Sequence, residues 1–208
     1  MKRSIRGEGS DPKSTRPVIK RATEHRGEVR LIGGQWKRTR LGVADRPGLR
    51  PTPDRVRETL FNWLGQDLSG WRVLDAFAGT GALGLEAASR GAAEVVLLDH
   101  DAGLVAAMLA VKQRLPDAHA VRVERAEAMI WMGRQAAATF ELVLLDPPFD
   151  SELAPAAAAA ALRLLVPGGF LFVESGSELA APGAGAVLRK SLRAGAVHAA
   201  LWQTTDAA

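Results

Sequence analysis

The stretch "FELVLLDPPFD", residues 140–150, joins an apolar run to an acid, two prolines and an aromatic ring. Those last residues can handle a flat, weakly nucleophilic amine. An exocyclic amine on a nucleobase has its lone pair delocalised into the ring. Two acceptors on its N–H bonds, the Asp146 carboxylate and the Pro147 carbonyl, would aim the nitrogen at an electrophilic carbon. Such catalysis works by orientation and electrostatics, with little covalent chemistry from the protein. Pro147 and Pro148 fix two φ angles and contribute no N–H, which stiffens the turn. Phe149 would stack on the base, a contact worth about 1–3 kcal/mol in single-strand binding proteins. A strand-ending turn with a core phenylalanine explains Pro-Pro-Phe alone, but explains the acid beside them poorly.

A second stretch, "DAFAGTGALG" at 75–84, offers a place for the donor of that carbon. Gly79, Gly81 and Gly84 fit G-x-G-x-x-G after a strand and before a helix, so a dinucleotide enzyme is one reading. The glycines let backbone approach a ligand closely, and the helix start favours an anionic group. Asp75, however, stands four residues before the first glycine, where it would repel a pyrophosphate. It suits S-adenosyl-L-methionine (SAM), whose ammonium group such an acid can satisfy directly or through water. Phe77 in the same loop joins the cofactor-binding set. Asp99, at the end of the next strand, is placed for two ribose hydroxyls, though NAD enzymes use an acid there too. Glu127 could accept from an adenine amino group or could be an ordinary acid at a helix start; the sequence leaves both open.

The elements that must position these residues alternate from Trp71 onward. "WRVLDAF", "EVVLLD", "HAVRV" and "FELVLLD" read as strands, separated by the helical segments "GALGLEAASR", "AGLVAAMLAVKQRL" and "EAMIWMGRQAA". "ELAPAAAAAALRLLV" is a fourth helix, after which "PGG" is expected to turn the chain into a strand at "FLFVE". This rhythm predicts an α/β fold with a doubly wound, mostly parallel sheet. "VLRKSLRAGAVHAALWQ" predicts an antiparallel C-terminal hairpin around Gly195 on the sheet edge. Ahead of the sheet, "EVRLIGGQWKRTRLGVA" reads as a short hairpin around Gly33-Gly34. In "RPTPDRVRETLFNWL", Thr52 is the expected N-cap and Pro53 the first helical residue. Val56, Leu60, Trp63 and Leu64 form an apolar stripe to dock this helix, with Arg55, Glu58 and Asn62 on another face. The division expected is a disordered basic tail over 1–27, a hairpin and helix extension over 28–69, and the catalytic domain over 70–208.

Composition narrows the setting. The 208 residues are 47% hydrophobic and 24% charged, with no cysteine and no long apolar run. Disulfides and cysteine-based metal sites are excluded, and the scattered histidines show no ligand spacing, so no metal is expected. A cytoplasmic protein without membrane contact is expected. Residues 1–58 carry 16 Lys/Arg against 7 Asp/Glu, a net of +9, and the remaining 11 against 16 give −5. A basic front on a mildly acidic body suggests an anionic partner. Arg30, Lys37, Arg38, Arg40, Arg50, Arg55 and Arg57 are the candidate contacts to that anionic partner, which the resemblance described next implies is RNA, against the alternative that these charges only solubilise an exposed segment.

"RLIGGQWKRTRL", "GLRPTPDRVRETLFNWL", "DAFAGTGALGLEAASRGA" and "LLDPPF" together resemble the RsmD family of bacterial 16S rRNA (guanine-N2)-methyltransferases, from about Arg30 to Trp202. The resemblance implies a Rossmann-like SAM-dependent methyltransferase fold with an N-terminal hairpin extension. It also implies methylation of one guanine N2 amine in a hairpin loop of small-subunit rRNA near the P site, with no obligate protein partner evident. It carries SAM binding to Asp75, Gly79, Gly81, Asp99 and Glu127, and the amine-binding turn to Asp146–Phe149. Many relatives have Glu where Asp99 stands and Asp where Glu127 stands. A DNA adenine-N6 methyltransferase shares the turn and the SAM site, but only about 58 residues lie outside the core to serve as a target-recognition domain. A hydride-transferring enzyme and a non-catalytic RNA-binding module are the remaining rivals, and the intact Asp146 speaks against the second.

Overall fold

The structure is a computed structural model, and it describes residues 27–43, 54–148 and 153–205. The basic tail, Arg50, Thr52, Pro53 and Phe149 therefore lie outside the described residues, apart from Gly27. Seven strands form one sheet: β3 (Arg72–Asp75), β4 (Glu94–Asp99), β5 (Val121–Arg125), β6 (Phe140–Leu145), β7 (Leu165–Ser175), β8 (Ala186–Ala194) and β9 (Val197–Thr204). β1 (Gly27–Arg30) and β2 (Arg40–Val43) make a separate antiparallel pair. The sheet order is β5-β4-β3-β6-β7-β9-β8. β3 to β7 run parallel, and β9 and β8 close the far side antiparallel. The order reverses at β3, so the crevice past the C-terminal ends of β3, β4 and β6 is where such sheets bind ligands.

The central strands are buried on both faces, as parallel strands covered by helices must be. Val73, Leu97, Leu142 and Leu144 face one apolar cluster, and Leu74, Val96, Leu98, Val143 and Leu145 face the other. The helices are α1 (Asp54–Leu64), α2 (Ala82–Ser89), α3 (Ala102–Lys112), α4 (Ala128–Arg134) and α5 (Leu153–Leu162). Asp101 caps α3, its Oδ1 accepting from Gly103 N at 2.7 Å and Leu104 N at 2.9 Å, one of the strongest N-terminal signals a sequence can give. The alanine run forms α5 and buries Ala154, Ala157, Ala158 and Ala161, a helical i, i+3, i+4, i+7 stripe.

Two local expectations change. Pro167-Gly168-Gly169 does not end one element and start another, because β7 runs continuously through it. The pair of glycines instead takes up a shift in the β6–β7 register between Phe140 and Leu142, with Gly168 at φ +77°. In α1, Val56 and Leu60 are buried with Phe61, while Trp63 and Leu64 are only half-buried. The exposed face does carry Arg55, Glu58 and Asn62.

The hairpin at the front pairs Gly27↔Val43, Glu28↔Gly42, Val29↔Leu41 and Arg30↔Arg40. Period-two alternation buries Val29 and Leu41 and exposes Glu28, Arg30 and Arg40. Its apolar side has no core of its own. Val29, Leu31, Trp36 and Leu41 join α1 in the cluster that also holds Leu83, Leu85 and Leu97 of the main sheet and its first helix.

Candidate functional site

β3 lies between β4 and β6, and the register pairs Asp75 with Leu97 on one side and Leu144 on the other. Asp99 and Asp146 thus each stand two residues beyond the level of Asp75, on the two neighbouring strands. The glycine loop between β3 and α2 is tied to both neighbours. Ala76 N donates to Leu144 O at 3.1 Å and Ala78 N to Leu98 O at 2.8 Å. Gly79 N donates to Asp99 Oδ2 at 3.0 Å, and Asp101 N to Asp99 Oδ1 at 2.8 Å. Each Asp99 oxygen has a second lone pair beyond its backbone partner, which keeps acceptor capacity for a ligand.

The three glycines have different tasks. Gly79 and Gly81 take left-handed backbone conformations at φ +55° and +78°. Gly84 has an ordinary backbone, but a Cβ there would lie 2.1 Å from Leu97 Cδ2 and 3.1 Å from Asp75 Cβ, so it is the close packing of α2 on the sheet that requires it. At Gly81 a Cβ would also meet Leu85 Cδ1 and Met108 Sδ at 3.2 Å. Gly81→Val therefore combines backbone strain with crowding at the start of α2, and should remove SAM binding and lower the melting temperature together. A thermal melt and a calorimetric titration on the same preparation check this.

Asp75 is the most perturbed acid of the site. Its side chain is buried, and its Oδ2 accepts from Gly84 N at 2.9 Å, while Oδ1 has no well-aligned hydrogen-bond partner among the described residues. Burial pushes its carboxyl up to about 7, with the charges of Asp146 and Asp99 adding to the rise and the Gly84 and Phe77 amides opposing it. A buried carboxylate with an oxygen left poorly satisfied, at a glycine-lined helix start, fits a ligand that brings its own donors and positive charge.

Asp146 is half-buried at the mouth of β6, with Pro147 buried behind it and Pro148 exposed. On the other side, His100, Arg125, Ala126 and Glu127 line an open cavity of about 400 Å³ at the ends of β4 and β5. Glu127 precedes α4 and its side chain makes no capping hydrogen bond. Arg125 Nε donates to His100 O at 3.1 Å, which fixes the wall of this cavity. The sequence reading missed His100 and Arg125, although both directly border the strand ends that carry Asp99 and Glu127.

Of the basic candidates, Arg30, Lys37, Arg38, Arg40 and Arg55 are exposed. Arg40 also contacts Glu28 at 3.4 Å. Lys37 and Arg38 sit on the loop joining β1 to β2, not on the strands. Arg57 is a correction: it is fully buried, and its Nη2 donates to Arg30 O at 2.9 Å and to Asp54 Oδ1 at 2.7 Å. It joins α1 to β1 and has no surface to offer RNA. Charge counting assigns arginines to the outside, although helical spacing sets Arg57 three and four residues before Leu60 and Phe61, on the buried face of α1.

The second omission is on α2. All eight residues of this helix are buried, so its acid must find partners inside the protein. Glu86 does so on the front extension. Its Oε2 accepts from Ile32 N and its Oε1 from Gly33 N, both at 2.7 Å, and Oε1 accepts from Arg90 Nη2 at 2.7 Å. The signal was present in "GALGLEAASR", where one acid stands mid-helix among alanines, leucines and glycine.

Residues 29–203 match a family model described as conserved hypothetical protein 95. Among curated proteins, the chain is 38% identical to ribosomal RNA small subunit methyltransferase D of Haemophilus influenzae over 72% of this chain and 80% of that one. It is 46% identical to the protein of the same name from Escherichia coli K12 over 59% of this chain, and there spans only 61% of the relative's length. Among solved structures, the putative methyltransferase yhhF of Escherichia coli superposes with a TM-score of 0.76 at 38% identity, covering 86% of this chain and 99% of that one. A putative methyltransferase complexed with S-adenosylhomocysteine matches with a TM-score of 0.64 at 15% identity, over 79% of this chain and 53% of that one, and shares the fold alone. With its glycine loop, its three strand-end acids and its proline turn in the arrangement described above, the chain belongs to the family of the ribosomal RNA small subunit methyltransferases D.

Proposed function

We propose that the protein transfers the methyl group of SAM to the exocyclic N2 amine of a guanine in small-subunit rRNA. The observation that supports this reading is the adjacency of β3 and β6, which sets the buried acid Asp75 beside the Asp146-Pro147 turn. Bound SAM supplies an electrophilic methyl group on a positively charged sulfur. Asp75 answers the charge of the methionine end, Asp99 accepts from the ribose, and Glu127 with the His100–Arg125 wall receives the base. Asp146 and the Pro147 carbonyl accept the two N–H bonds of the target amine and hold its nitrogen toward the donor. The name shared by the Escherichia coli and Haemophilus influenzae relatives supports rRNA as the substrate class. The guanine N2 position rests on the resemblance of the four sequence strings.

Tritiated SAM offered with immature small subunits, with naked rRNA and with DNA is the direct test, followed by nuclease digestion and identification of the labelled nucleoside. Label in N2-methylguanosine is the expected result. Label in N6-methyladenine of DNA would replace the assignment with the DNA enzyme.

The exposed cations of the front extension bind phosphates in this reading. Such interactions hold register and carry no base identity, so target choice comes from loop shape and the fit of the extruded guanine. Replacing Lys37, Arg38 and Arg40 with glutamine should weaken small-subunit binding and flatten its salt dependence by about 0.7 in log–log slope for each single-strand phosphate no longer neutralised. SAM affinity should stay unchanged. A filter-binding series across salt concentrations measures both slopes, and wild-type affinity throughout would move the RNA-binding surface elsewhere.

A further inference from the structure

We propose that Glu86 is a positioning residue, which holds the loop bearing Lys37 and Arg38 in fixed register with the methyl-donor loop. The inference rests on the rRNA methyltransfer reading and names a coupling within it. Glu86 is fully buried on the same short helix whose start, Gly81 to Gly84, closes on Asp75. From there it accepts the Ile32 and Gly33 amides of the β1–β2 connection. One turn later Ser89 repeats the grip. Its Oγ donates to Gly33 O at 2.7 Å and accepts from Trp36 N at 2.9 Å, and its carbonyl accepts from Gln35 N at 2.8 Å.

Three further observations show that the loop is specified by this contact. Gly34 adopts φ +69°, and a Cβ there would lie 1.8 Å from Ser89 O, so only glycine permits the approach. Arg38 adopts φ +72°, a left-handed conformation that a non-glycine residue keeps only where its surroundings impose it. Arg90 completes the charge balance, donating to Glu86 with Nε at 3.0 Å and Nη2 at 2.7 Å while its guanidinium lies over the Phe61 ring. Arg90, with the buried Arg57 whose Nη1 lies 4.0 Å from Glu86 Oε2, already neutralises the acid. The acid also receives two backbone amides from a segment more than fifty positions away, and that segment displays exposed cations.

Phosphates gripped by Lys37 and Arg38 are thus referred through one short helix to the loop that holds the donor. Loosening the grip leaves cations able to attract RNA but unable to deliver the guanine at a fixed distance from the methyl group. Misplacement of reacting groups by about 1 Å costs on the order of a hundredfold in rate. The expected signature is a fall in single-turnover rate at saturating RNA by about tenfold or more, with unchanged SAM affinity and retained salt dependence of RNA binding.

Glu86→Gln is the first variant, since a carboxamide has one oxygen for two amides and presents an NH2 to donors. Gly34→Ala disturbs the loop without touching the buried pair, and keeps the inference testable if Glu86→Gln fails to fold. Circular dichroism and SAM calorimetry establish that each variant retains its core. Amide hydrogen exchange should accelerate at Ile32, Gly33 and Trp36, and the saturating rate should fall in parallel. If the loop amides exchange faster and the saturating rate on small subunits stays at the wild-type value, Glu86 is merely structural and the coupling is wrong. If the wild-type protein itself transfers no methyl to rRNA, the function proposed above falls, and this inference falls with it.

Discussion

Asp146→Ala should reduce the methyl-transfer rate at saturating RNA and SAM by about a hundredfold or more, by analogy with removing one preorganised hydrogen-bond donor from an oxyanion hole. Pro147 and Pro148 have no N–H, so what this turn offers the amine is the Asp146 carboxylate and the Pro147 carbonyl as acceptors. Losing the charged acceptor removes an interaction that strengthens as positive charge develops on the nitrogen. RNA affinity should hold, since the cations proposed to bind phosphate lie on the front extension. SAM affinity should hold or improve, because Asp146 is one of the negative charges that oppose ionisation of Asp75. Asp146→Asn keeps an acceptor oxygen and should fall between. Quench-flow measurement of label transfer under single-turnover conditions separates chemistry from product release. An alanine variant transferring methyl groups at the wild-type rate would reduce the turn to a strand terminator.

The second large effect concerns pH. Asp75 has its carboxyl raised to about 7, first by burial and then by the charges of Asp146 and Asp99. The folded, ligand-free protein holds a proton there that the unfolded chain releases near the ordinary carboxylate value. The stability this group contributes is therefore full below about pH 4 and declines as pH rises toward 7, levelling off once the folded carboxyl has ionised. The loss is on the order of a few kcal/mol. A cationic ligand reverses the preference by favouring the carboxylate. SAM should accordingly bind more tightly as pH rises through 7, and calorimetry in buffers of different ionisation enthalpy should register proton release near neutrality. Asp75→Asn should melt higher than the wild type at pH 8 without ligand, yet bind SAM poorly at every pH. Equal SAM affinity at pH 6 and pH 8 would remove Asp75 from the site.

The parts of this site that follow the chain closely were legible, and the parts assembled across it were not. Asp75, Asp99 and Asp146 each end an apolar run, and a parallel sheet gathers such strand ends on one edge whatever the details of packing. Gly79 and Gly81 announce their backbone need locally, whereas the reason for Gly84 lies in Leu97 on the next strand. Arg57 and Glu86 defeat sequence reading for a common reason. A charged residue is placed outside by default, and its partners show otherwise: the Arg30 carbonyl and Asp54 for one, the Ile32 and Gly33 amides for the other. Lys37 and Arg38 were placed on a hairpin by alternation, but the connection curls against α2 because Ser89 bonds it there. Pro167-Gly168-Gly169 looks like a boundary in one dimension, and becomes a register shift only because β6 continues alongside.

The order of the last three strands bears on how the chain is made. β9 follows β8 in sequence but lies between β7 and β8 in the sheet. β7 and β8 are both made before β9, and each keeps one edge without its partner until β9 pairs with both. The strands that end at Asp75, Asp99 and Asp146 take no partner from β9. A chain truncated near Gly195 would thus leave β7 with an open hydrophobic edge beside the strands that end at Asp75, Asp99 and Asp146, a species prone to pair with another chain. Trp202 and Leu201, both buried, close that edge last.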